Sequence, residues 1–127
     1  MTPYKQAPTT FEELTDPLPQ EIQNIAFRLR KSIEKILPEA DENVSGGKKM
    51  GMALYSFKSP NNVICGIQPT EKMCKLYFHG WKELKKKGFE LEGSGKNARH
   101  IKLGSESALD PKIIEEMLVV VKNVLMR

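Results

Sequence analysis

The chain holds only two cysteines, two histidines and one tryptophan among its 127 residues. Each scarcity excludes something. Two thiols, Cys65 and Cys74, cannot build the disulfide framework of a small secreted scaffold, and their separation is not a zinc-ligand spacing. They read as reduced, strand-borne thiols packed as small hydrophobes. A transition-metal site draws about three or four nitrogen or sulfur ligands, so every Cys and His would have to converge, and no metal site is expected. Long apolar runs are missing as well. The strongest, Met117 to Val121, is far too short to cross a bilayer. The opening MTPYKQAPTT carries no apolar segment of the kind a signal peptide needs. These absences make a cytoplasmic protein with no membrane partner the expectation. Neither an internal repeat nor a low-complexity segment is present.

What is there suits one domain. A chain of this length buries about two-thirds of its unfolded surface, enough for a single core. Residues 1–10 read as a flexible tail with two prolines, leaving 11–127 as the folded unit. The net charge of +4 is unevenly placed: from Glu71 to Leu103 nine Lys or Arg oppose four acids, a local +5 that leaves −1 for the remainder. Local basicity points to an anion-attracting face rather than a generally basic protein.

The hydrophobic period changes along the chain. Thr10 and Glu13 form a plausible capping box for a short helix from Phe11 to about Leu14. Asp16-Pro17 is expected to cap and open the main helix, whose apolar stripe is Ile22, Ile25, Ala26, Leu29, Ile33, Ile36 and Leu37, ended by Pro38. Glu39 to about Lys49 reads as a polar linker containing Gly46-Gly47. Met50–Phe57 and Val63–Ile67 then read as a hairpin around Ser59-Pro60-Asn61-Asn62. Met73–Phe78 is a third strand. Gly80–Lys87 is a short helical turn closed by Gly88, and Arg99–Leu103 is a fourth strand. Asp110-Pro111 opens a C-terminal helix with Ile114, Met117, Leu118, Val121 and Leu125 on one face. The order predicts an α+β fold: a small antiparallel sheet of three or four strands, with the N-terminal and C-terminal helices on one of its faces.

Leu76–Leu103 holds seven of the chain's twenty Lys and Arg against three acids, with both histidines and the tryptophan. Its loop Gly93-Ser94-Gly95-Lys96 is not a nucleotide-binding P-loop. That motif needs glycine where the chain has Glu90, Ser or Thr where it has Asn97, and a following helix where it reads as strand. Glycine N–H groups beside Lys96 and Arg99 still suit an anion, while the plainer reading is a tight turn. The ligand-binding candidates are therefore His79, Trp81, Lys96, Arg99 and His100, with Gly93, Ser94 and Gly95 as the loop. No catalytic residue is assigned: Cys74 and His79 differ by five, so on one strand they face opposite sides. Lys82, Lys85 and Lys86 share a helical face, but no nucleic-acid-binding motif accompanies them, and nucleic acid is not an expected partner. The acids Glu12, Glu13, Asp16, Glu21, Asp110, Glu115 and Glu116 gather at helix starts, where capping and the helix dipole account for them. No cofactor is indicated.

CKLYFHGWKEL, LEGSGKNARHIKL and the C-terminal amphipathic helix together resemble the YdhG-like bacterial domain family, of unknown function, some members of which are described as frataxin-like intracellular iron chaperones. The resemblance rests on Phe78, Gly80, Leu91, Gly93, Ser94, Gly95, Lys96, Arg99, His100, Ile101 and Lys102, and on Ile36-Leu37-Pro38-Glu39-Ala40. It covers roughly residues 14–125 and departs at Ala53, where proline is usual. It implies an α+β fold with a curved antiparallel sheet. The expectation for function is a non-enzymatic module binding an anionic small molecule or an acidic protein, with iron chaperoning, through the acidic helix faces, as the alternative.

Overall fold

The computed structural model describes residues 4, 6–46 and 51–126. The fold is α+β: one open five-stranded antiparallel sheet with helices before, within and after it. The strands are β1 (Asp41–Ser45), β2 (Met52–Ser56), β3 (Val63–Pro69), β4 (Cys74–His79) and β5 (Ala98–Leu103), paired in sequence order. The helices are α1 (Phe11–Thr15), α2 (Gln20–Ile36), α3 (Trp81–Lys86) and α4 (Pro111–Leu125). No helix among the described residues is long and apolar enough to cross a membrane.

The sheet has one strand more than its sequence signals suggested. The stretch from Glu39 to about Lys49, a polar linker by its composition, contains β1, whose five residues pair in register from Asp41 opposite Ser56 to Ser45 opposite Met52. As an edge strand it has one fully polar face, and its inward positions are Glu42 and Val44, so hydrophobic alternation barely shows. Glu42 is held from the helix layer. Arg30 of α2 donates from Nε and Nη2 to its two oxygens at 2.8 Å each, and the Tyr55 hydroxyl donates to Oε2 at 2.6 Å. The expected start of the next strand at Met50, with Gly47 and Lys49 of the linker, lies outside the described residues; β2 begins at Met52.

The main helix also starts later than Asp16-Pro17 suggested. Asp16 closes α1, in helical conformation, and α2 begins at Gln20 with Pro19 as its N-cap. The reason is Pro19: its ring disfavours helical backbone at Leu18, so one helix cannot run through. The Thr10–Glu13 capping signal is real but shifted on one side. The Glu13 N–H donates to Thr10 Oγ1 (3.1 Å), whereas the Glu13 carboxylate accepts from the N–H and hydroxyl of Thr9, 2.9 Å each. These bonds hold the Glu13 carboxyl below the usual range. Within the N-terminal segment Tyr4 is buried and its hydroxyl donates to the Leu14 carbonyl at 2.7 Å. At the other end Asp110 caps α4 as expected, accepting from the N–H of Lys112 (3.1 Å) and of Ile113 (3.5 Å).

The core lies between one sheet face and the helices. Ile22, Ile25, Leu29 and Ile33 of α2 and Met117, Leu118 and Val121 of α4 are buried together with Ala53, Tyr55, Cys65, Ile67, Leu76 and Phe78 of the strands. Both cysteines are free and fully buried, and burial pushes their thiols up, that of Cys74 to about 12. Cys65 stands opposite Phe78, and Cys74 opposite Pro69. Four positions along a strand is about 13 Å, far beyond disulfide reach.

Candidate functional site

Cross-strand register decides what can meet. Directly opposed residues share a face, so Phe78 and Arg99 point to the helix side. Tyr77 and His100 point to the other side, as does His79, two positions along from Tyr77. Arg99 and His100 are neighbours in sequence and are separated by the sheet. The eight candidate residues therefore form two environments.

The first is a cleft on the helix side. Gly80 leaves β4 with φ +74°, the left-handed bend that starts α3 and aims Trp81. α3 ends in a Schellman motif: Gly88 has φ +94°, its N–H donates to the Lys85 carbonyl, and the N–H of Phe89 donates to the Leu84 carbonyl, both at 3.1 Å. That turn brings Phe89, Glu90 and Leu91 back alongside Trp81. Arg99 lays its guanidinium over the Trp81 ring, 3.8 Å from Cζ to the centroid. The Nζ of Lys82 is 5.8 Å from the same ring. Two loop carbonyls fix this pair: Lys96 O accepts from Trp81 Nε1 (3.1 Å) and Gly95 O accepts from Arg99 Nε (3.2 Å). The result is a cavity of about 400 Å³ lined by Trp81, Lys85, Phe89, Glu90, Leu91 and Arg99.

Charge inside the cleft is unspent. Among the described residues Lys85, Glu90 and Arg99 make no ion pair, and the two Nη groups of Arg99 have no hydrogen-bond partner. A guanidinium held flat by an aromatic ring, with its terminal donors free, is pre-organised for an oxyanion.

The second environment is the opposite face. His100 is 8% exposed. Its ring lies 4.8 Å from that of Tyr77, and a Cβ on Gly93 would come within 3.2 Å of its Nδ1. Among the described residues its Nε2 is buried without a hydrogen-bond partner. Burial holds the imidazole below its ordinary pKa; Lys75 and Lys102 add to this and Glu92 opposes it. Burial lowers His79 likewise. Ser94 and Lys96 stay exposed in the connecting loop, and Lys96 contributes a carbonyl rather than its ammonium.

Lys85, Phe89, Glu90 and Leu91 were not among the sequence candidates. The signal was present in Gly88: a left-handed glycine after a helix turns the chain back over it, so the residues that follow face the helix. The acids at helix starts do not gather. Glu12 pairs with Arg30 (3.5 Å) and Glu115 with Lys35 (2.7 Å), Glu21 accepts from the Glu106 N–H, and Asp110 caps α4. Among the described residues no group of three or more His, Cys, Asp or Glu is placed to hold a metal ion. In comparisons with known proteins, no family model, curated protein or solved structure matches this chain.

Proposed function

We propose that this chain is a non-enzymatic, YdhG-like binding module whose Trp81–Arg99 cleft holds the anionic group of a small molecule or an acidic partner. One observation carries the reading: Arg99 is clamped on Trp81 in a cavity that also holds Lys85, and among the described residues neither its two Nη groups nor Lys85 has a polar partner. Of the five residues first singled out for the anion, Trp81 and Arg99 form the site and Lys96 supports it through its carbonyl. His79 and His100 belong to the other face.

Trp81 is the chain's only tryptophan, so its fluorescence reports on the cleft alone. Titration with acetate, sulfate and phosphate is expected to quench or shift that emission and to raise the melting temperature. Saturation at a hundredfold excess over Kd stabilises by about 2.7 kcal/mol. Arg99→Ala abolishes both responses. A panel in which no anion moves either signal refutes the reading.

A further inference from the structure

We infer that the ligand of the Trp81–Arg99 cleft is a monocarboxylate with a flat apolar body; this inference rests on the anion-binding reading above. The first argument is charge. The cleft wall holds two cations, Lys85 and Arg99, and one acid, Glu90, none of them paired among the described residues. A single negative charge neutralises that set. A dianion such as a phosphate monoester brings a second charge toward Glu90.

The second argument is the shape of the donor. Gly95 O occupies Arg99 Nε, so the side-on edge of the guanidinium is taken and the end-on Nη1–Nη2 edge remains. Two parallel N–H groups match the two oxygens of a carboxylate. Trp81 covers one face of the guanidinium, which fixes the plane in which that carboxylate must lie.

The third argument is the walls. Phe89 and Leu91 are half-buried and line the cavity beside the Trp81 ring, so much of the surface facing a ligand is apolar. A compact cavity of about 400 Å³ lies near the small end of ligand sites. It suits one or two rings attached to the carboxylate. An anion without such a body leaves the apolar walls wet.

The test is a binding panel on the full chain, read by Trp81 emission and calorimetry: phenylacetate, acetate, phenylacetamide and phenyl phosphate. Phenylacetate is expected to bind about tenfold or more tightly than each of the other three, roughly the worth of one well-buried group or one matched charge. Leu91→Ala brings phenylacetate down toward acetate. Glu90→Gln is expected to strengthen both anions, and phenyl phosphate more than phenylacetate, so the gap between them narrows; a gap that does not narrow overturns the charge argument. Phenyl phosphate equal to or tighter than phenylacetate in the unmodified chain overturns the inference, as does acetate equal to phenylacetate. In those outcomes anion binding that is lost in Arg99→Ala still upholds the broader reading; no binding by any anion removes both.

Discussion

Replacing Glu42 by alanine tests what holds β1, the strand with the weakest sequence signal, onto the molecule. Three hydrogen bonds end on this carboxylate, at 2.8, 2.8 and 2.6 Å. Their loss has two unequal parts. Arg30 and Glu42 are each about a quarter exposed, at 27% and 24%, and Arg30 keeps Glu12 and Glu34 within 3.6 Å. The ion pair itself is therefore worth about 1 kcal/mol, the upper end for pairs that water reaches. Tyr55 is only 3% exposed. Its hydroxyl, held as a neutral donor by burial and by the bond to Glu42, is left without an acceptor, which costs about 1–3 kcal/mol. Glu42→Ala should thus lose about 3 kcal/mol in urea unfolding. Glu42→Gln, which keeps an acceptor for Tyr55, should lose about 1 kcal/mol. Adding Tyr55→Phe to Glu42→Ala removes the orphaned hydroxyl, so the double variant should fall short of the sum of the singles by about 1 kcal/mol. Hydrogen exchange in Glu42→Ala should accelerate first at the β1–β2 amides. A loss below about 0.5 kcal/mol, or strict additivity in the cycle, would refute the view that this network secures the edge strand.

Two further outcomes follow from local geometry. Gly88 has φ +94° and open space where a Cβ would stand, so Gly88→Ala meets backbone strain alone. It should cost about 1–2 kcal/mol by thermal unfolding, and a variant as stable as the parent would contradict the Schellman assignment. Burial favours neutral His79 and His100 in the folded chain, so the unfolded chain binds protons more readily. This contribution to stability is fully present above the unfolded histidine value of about 6.5. It is lost as pH falls below that value and through the folded values. His100→Gln should flatten that part of the profile; an NMR titration placing the His100 pKa above the ordinary value would contradict the sign.

Most of the fold was legible because most of it follows hydrophobic period and turn chemistry. The α2 stripe, the Asp110-Pro111 cap and the turn at Ser59–Asn62 are all found where the pattern put them. In that turn the Asn62 N–H donates to the Ser59 carbonyl at 3.0 Å. β1 was hidden for a physical reason: its inward Glu42 is satisfied by an arginine twelve residues earlier in sequence, and no periodicity of apolar residues records a polar contact between layers. The α2 boundary was misplaced because two prolines competed, and the second, through its effect on Leu18, sets the start. The division of the site was in principle readable. The alternation that separates Cys74 from His79 separates Arg99 from His100 more directly, since adjacent strand residues face opposite sides.

That division also changes what the glycine loop does. A phosphate-binding loop presents N–H groups to its ligand. Here the contacts made by Gly95 and Lys96 run through their carbonyls, which accept from Arg99 and Trp81. The glycines are needed for close approach. A Cβ on Gly95 would sit 2.5 Å from the Ala98 carbonyl, and Gly93 packs against the His100 ring. The loop thus closes tightly over the end of β5 and spends its acceptors on orienting one arginine and one tryptophan. On the proposed reading the cation that meets an anion is Arg99 in the cleft, with the loop as its scaffold. That reading gives a glycine-rich stretch lacking the first glycine, the Ser or Thr and the following helix of a P-loop a role as the support of a proposed anion site.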